Sequence, residues 1–195
     1  MKYRIDKPTL LNTLSIWDRF LRRKIQIIAC GGTALTLLNL KESTKDVDFL
    51  IPDLTEYKYL INTLTDFGYE RKTGTGWQYN EGFIFDLYVD KTVFTTELLE
   101  SPLKTENHIL YKEYSSIYLA ILNYYDLIIT KLFRYTSVDI DDCLALLREK
   151  NKDIDIMELK SRFYKTSSYD ISDKKNKKNF QHFLEILKKD KVYNG

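Results

Sequence analysis

The chain is built of helix-spaced segments alternating with short apolar runs. Residues 9–23 carry Leu10, Leu11, Leu14, Trp17, Phe20 and Leu21 at helical spacing, with Pro8 at the start. Residues 24–30 are a short β-branched run that reads as a buried strand; Gly31-Gly32 ends it, and residues 33–40 read as a short helix. A polar loop leads to a second strand at 46–51, closed by Pro52, and a helix over 55–66 ends near Gly68. Residues 69–79 contain Thr-Gly-Thr-Gly-Trp and read as a strand with a glycine-rich turn. Residues 82–90 alternate, with Phe83, Phe85, Leu87 and Val89 on one face and Ile84, Asp86, Tyr88 and Asp90 on the other.

From about residue 116 the pattern turns helical. Residues 117–136 are apolar on most sides and read as one helix with Lys131 and Arg134 at its far end. Residues 139–150 open with acids, as a helix dipole favours. Further helices are expected at 157–164 and 177–189, separated by a polar linker. The expected fold class is α+β: a small mixed β-sheet flanked by helices, followed by a C-terminal helical region. The polar, Pro102-containing stretch at 100–106 divides a core over residues 1–100 from a helical domain over 101–195.

Composition keeps this picture within ordinary globular bounds. Of 195 residues, 44% are hydrophobic and 30% charged. No apolar run reaches the ~18–20 residues that span a bilayer, so no membrane partner is expected. The N-terminus lacks a signal-type apolar segment. Cys30 and Cys143 sit among apolar residues without metal-type spacing and read as buried reduced thiols. The expected location is the cytoplasm. The net charge of +2 is uneven: residues 148–195 carry about +5 and the rest about −3, a mild basic tail that suits a solvated helical surface or an anionic partner.

Two features cost stability locally. Asp46 and Asp48 stand at i and i+2 on an expected strand, so their carboxylates emerge on one face and repel unless a cation sits between them. Such oxygen donors suit Mg²⁺, with substrate phosphate completing its shell. Asp86 becomes a third carboxylate if its strand pairs beside the first. Gly31-Gly32, between a strand and a helix, lets the backbone approach a ligand closely, and Thr33 adds a hydroxyl.

Together, Gly31-Gly32-Thr33, Asp46-Val47-Asp48 and Phe85-Asp86-Leu87 resemble the signature of the nucleotidyltransferase superfamily of the polymerase-β type. The variant resembles minimal-domain proteins related to AbiEii-type toxins and their uncharacterised relatives. In that group a helix with a late Lys is followed by an Asp-x-x-Asp helix start, here Lys131 and Arg134, then Asp139 and Asp142. The resemblance covers roughly residues 24–148; the replacement of the commoner Gly-Ser by Gly-Gly-Thr is a departure.

The resemblance implies transfer of a nucleoside monophosphate from an NTP to an acceptor hydroxyl or phosphate, with two Mg²⁺ or Mn²⁺ ions. Asp46, Asp48 and Asp86 would hold metal, Asp86 also helping to deprotonate the attacking hydroxyl. Gly31, Gly32, Thr33, Lys131 and Arg134 would hold phosphate, and the helical domain would complete the cleft. Acceptors of the related toxins would be tRNA, another RNA or a protein, with an antitoxin as partner. Two other classes stand beside this: a nucleotide- or partner-binding module without turnover, and an antibiotic-type small-molecule adenylyltransferase. Bland readings also stand for individual residues. Lys131 and Asp142 suit a structural pair between helices, Asp139 a helix cap, Asp90 a turn, and Trp77 and Tyr79 packing instead of base stacking.

Overall fold

The computed structural model describes residues 4–190. In chain order the elements are β1 (Ile5–Asp6), α1 (Lys7–Phe20), β2 (Ile25–Ala29), α2 (Gly31–Leu37), β3 (Ser43–Thr44), β4 (Val47–Ile51), α3 (Leu54–Asp66), β5 (Tyr69–Arg71), β6 (Gly76–Tyr79), β7 (Ile84–Val89), β8 (Thr92–Val93), β9 (Thr96–Glu97), β10 (His108–Glu113), β11 (Ile117–Leu122), α4 (Tyr124–Arg134), α5 (Ser137–Glu149), α6 (Ile156–Ser167) and α7 (Asp173–Lys189). The fold is α+β, and none of the described helices is long and apolar enough to cross a membrane. The chain divides into two compact units, one of Met1–Val93 with Glu100–Asn123 and one of Phe94–Leu99 with Tyr124–Gly195.

The first unit is organised by a seven-stranded mixed sheet in the order β10-β11-β2-β4-β7-β6-β5. β11 runs parallel to β2 and β4 parallel to β7, while the other neighbours are antiparallel. Every residue of β4 is buried, as expected of a central strand covered on both faces. Helix α1 contributes Leu10, Leu14 and Trp17 to the core. It starts at an Asp6 side chain that accepts the Thr9 N–H at 2.9 Å, with Pro8 in the first turn. Helix α3 starts likewise at Asp53, which accepts from Thr55 and Glu56. Trp17 is fully buried, its ring 4.9 Å from that of Phe85, and its Nε1–H donates to the Tyr69 hydroxyl at 2.8 Å. His108, which opens the edge strand β10, is buried, its Nδ1–H donating to the Pro102 carbonyl at 2.7 Å.

In the second unit α4 to α7 pack around Phe163, Phe180, Phe183 and Leu187, all fully buried. Phe163 stacks on Phe180 with centroids 4.4 Å apart. Cys143 lies in this core, where burial pushes its thiol well above the ordinary value.

Four expectations need correction. Residues 117–136 are not one helix: 117–122 form β11 and only Tyr124–Arg134 are helical. A strand paired in parallel inside a sheet is buried on both faces, and such a continuous apolar run has no period to distinguish it from a buried helix. Consequently residues 101–123 do not open the helical region; β10 and β11 extend the sheet, which is larger than expected. The short helix begins at Gly31, two residues before the expected start. The expected linker is also shorter, because α7 begins at Asp173, where Asp173 accepts from the Ser167 hydroxyl and Lys177 in its first turn.

Replacing Tyr69 by Phe leaves the buried Trp17 N–H without its acceptor. We expect a loss of about 1–2 kcal/mol in urea unfolding, and an unchanged midpoint would show that this bond carries no stability.

Candidate active site

Gly31 follows β2 with φ +55°, a left-handed conformation natural to glycine. Its α-carbon lies against Asp48: a Cβ there would stand 2.3 Å from Asp48 Oδ2 and 2.9 Å from its Cγ. Gly32 is pressed in the same way onto the Thr44 hydroxyl, at 2.6 Å from a would-be Cβ. Two different neighbours thus demand the two glycines. Thr33 is fully buried, and its hydroxyl accepts the Asp48 N–H at 2.9 Å and lies 3.5 Å from the Asp46 carbonyl. Thr44 donates to that same carbonyl at 2.9 Å. The Thr33 hydroxyl is therefore engaged with the acidic strand, tying the turn to β4.

The strands β4 and β7 pair in parallel with Asp48 opposite Asp86, so both carboxylates stand on the same face of the sheet. Asp48 is 6% exposed and Asp86 half-buried. Asp46 precedes β4 and is exposed, with its backbone carbonyl held by the two threonines. The row continues on β6, where Gly76 is opposite Asp86. The Thr75 hydroxyl donates to Asp86 Oδ1 at 2.7 Å. Trp77 pairs with Phe85 and is almost buried, on the face away from the carboxylates, and Tyr79 is half-exposed beside Tyr69.

Among the described residues no group of three or more His, Cys, Asp or Glu side chains is arranged to hold a metal ion. The pair Asp48 and Asp86 nevertheless suits Mg²⁺, which commonly takes one or two carboxylates and completes its octahedron with substrate phosphates and water. The bare Gly31 α-carbon leaves the Asp48 carboxylate no side chain from that turn to displace.

In the second unit Lys131 is 1% exposed, with Nζ 2.7 Å from Asp142 Oδ2 and 3.8 Å from Asp139 Oδ1. Asp139 also pairs with Arg134 at 2.5 Å. It is the third residue of a capping box in which Thr136 is the N-cap, and its Oδ2 accepts from the Thr136 hydroxyl at 2.8 Å. Asp139 thus belongs to the cap from inside the helix. The Arg134 guanidinium lies over the Phe94 ring, 3.9 Å from its centroid. All four residues form one network joining α4 to α5.

The sequence profile described as "Nucleotidyltransferase of unknown function (DUF6036)" matches residues 19–191. The chain belongs to this nucleotidyltransferase family. As a nucleotidyltransferase it is a transferase. Its fold is similar to that in the crystal structure of ANT(2")-Ia in complex with adenylyl-2"-tobramycin, with a TM-score of 0.54 and 10% identity, covering 83% of this chain and 97% of that one. Curated protein sequences give no match.

Of the nucleotidyltransferase signature, the Gly31-Gly32-Thr33 turn, Asp48 and Asp86 are gathered around β4 and β7, and Asp46 stands at the entrance of that strand. Thr44 and Thr75 escaped the sequence reading because both contacts are tertiary or cross a turn. The one local signal was Thr-Gly-Thr-Gly placed shortly before an alternating, Asp-bearing strand.

Substituting Lys131 by Met would take from buried Asp142 the cation 2.7 Å away and leave Asp139 to Arg134. Breaking one partner of such a pair costs about 3–5 kcal/mol, to be measured by denaturant unfolding. Wild-type stability in this variant would contradict a structural role for the pair.

Proposed function

We propose that this nucleotidyltransferase moves a nucleoside monophosphate from an NTP to an acceptor hydroxyl, using the face of the sheet that carries Asp48 and Asp86. The observation that supports this most is the register of β4 and β7, which puts the two acids opposite each other beside a glycine turn held against one of them. Asp46, Asp48 and Asp86 would hold Mg²⁺ or Mn²⁺, which when bound supplies neutralisation of the triphosphate charge. The backbone at Gly31 and Gly32 gives the triphosphate close access. Thr33 serves by fixing the turn to β4, since its hydroxyl is already spent there.

In the reaction the acceptor oxygen attacks the α-phosphorus, a new P–O bond forms, and the bond to the β-phosphate oxygen breaks. Pyrophosphate leaves with that electron pair. Asp86 receives the hydroxyl proton, a role suited to a half-buried carboxylate beside the more buried Asp48. Rate enhancement then comes from positioning and from charge placed where the transition state needs it. Lys131 is 1% exposed and its charge is paired with Asp142 and Asp139, which supports a scaffold role for it in place of direct phosphate contact. The two free cysteines, both buried, suit a reducing cytoplasm.

A second reading concerns the acceptor. The fold's likeness to a protein crystallised with adenylyl-2"-tobramycin favours including small hydroxyl-bearing acceptors beside tRNA and proteins. The test is incubation with each labelled NTP, Mg²⁺ and those acceptors. We expect labelled product with the wild type and a loss of at least ~10³-fold with Asp48→Asn. Equal labelling by both would overturn the assignment of the site.

A further inference from the structure

We propose that the Thr73–Gly76 turn belongs to the catalytic apparatus, with Thr75 as a positioning residue that holds Asp86 by one carboxylate oxygen and leaves the other for substrate and metal. This rests on the reading of Asp86 given above.

Three observations carry it. First, Thr75 approaches Asp86 from a neighbouring strand's turn, its hydroxyl donating to Oδ1 at 2.7 Å. One strong bond to one oxygen fixes the rotation of a carboxylate that stands on a rigid strand. Second, the turn is itself held in place. The Thr75 carbonyl accepts the Leu87 N–H at 2.9 Å, directly after Asp86 in sequence. The Thr73 hydroxyl accepts the Gly76 N–H at 2.9 Å, and the Gly76 carbonyl accepts from Lys72 at 2.8 Å. The Arg71 guanidinium donates to the carbonyls of Thr73 and Gly74. A glycine-rich segment so bonded acts as a frame. Third, Gly76 is the cross-strand partner of Asp86. A Cβ there would stand 2.4 Å from Thr73 Oγ1, 2.9 Å from Ile84 Cγ2 and 3.4 Å from Asp86 Oδ1. The glycine keeps the turn folded close enough for Thr75 to reach the carboxylate. Gly76 and Thr75 thus both meet the Asp86 carboxylate, whereas at Asp48 the glycine Gly31 faces the carboxylate and Thr33 holds the backbone N–H.

A hydroxyl that merely satisfied a half-buried carboxylate would affect stability and nothing else. The two roles separate by measuring Mn²⁺ binding by electron paramagnetic resonance, with non-hydrolysable analogues of the four NTPs. The proteins are the folded wild type, Thr75→Ser, Thr75→Val and Asp48→Asn, with urea unfolding recorded in parallel. Thr75→Val is expected to bind Mn²⁺-nucleotide roughly 10–100-fold more weakly, the usual cost of losing a partner that orients a ligand. Thr75→Ser should stay within about threefold of wild type, because the donor is restored. If Thr75→Val does not fold, Thr75→Cys, a poorer donor of similar size, takes its place with the same expectation of weakened binding. Wild-type affinity in Thr75→Val or Thr75→Cys, or equal loss in Thr75→Ser, overturns the positioning role. If the wild type itself fails to bind, or Asp48→Asn binds as well as wild type, the site reading falls and takes this proposal with it.

Discussion

The closest constraint in the first unit is the approach of the Gly31 α-carbon to the Asp48 carboxylate, where even one methyl group would lie 2.3 Å from Oδ2. Much of the local sequence follows from it. A residue at φ +55° with no room for a side chain must be glycine. The strand that brings Asp48 there has to be held firmly, and it is: β4 lies between β2 and β7, wholly buried, with its entrance tied down by Thr33 and Thr44. A carboxylate at 6% exposure is costly to keep charged unless its surroundings compensate. The burial and the glycine turn are two sides of one arrangement.

The second unit shows how differently buried charge can be used. Lys131, Asp142 and Asp139 are also buried and Arg134 is half-buried, but they neutralise one another, and Asp139 closes the start of α5 in a capping box. Such a network fixes the meeting of α4 and α5, and removing one member unbalances the buried charge. At Asp86 the Thr75 hydroxyl donates to the carboxylate, and Asp48 is tied to the Thr33 hydroxyl through its backbone N–H. Charge balanced internally suits scaffolding.

Much of this was legible in the sequence where the determinants are local. Gly31-Gly32-Thr33 and Asp46-Val47-Asp48 lie in one short stretch, and the alternation at 82–90 placed Asp86 opposite the apolar face of its strand. The pairing of β4 with β7, a tertiary fact, turned a conditional third carboxylate into the direct neighbour of Asp48. The misreading of 117–122 has the opposite cause. Ile117, Leu119, Ala120, Ile121 and Leu122 are all buried, so no polar face marks a period of two, and only Asn123 separates strand from helix. Thr75 was invisible because its significance lies across the sheet. The role of Thr33 is half legible: the sequence puts a hydroxyl at the turn, but its partner is β4.

The central claim is that Asp48 and Asp86 together receive a metal-bound nucleotide on one face of the sheet. The most direct measurement is a crystal structure with Mn²⁺ and a non-hydrolysable NTP analogue, the ion located by its anomalous scattering. The account predicts an anomalous peak within ~2.0–2.3 Å of oxygens from Asp48 and Asp86, with the triphosphate beside Gly31 and Gly32. A nucleotide bound elsewhere, with no ion at these two carboxylates, would contradict it.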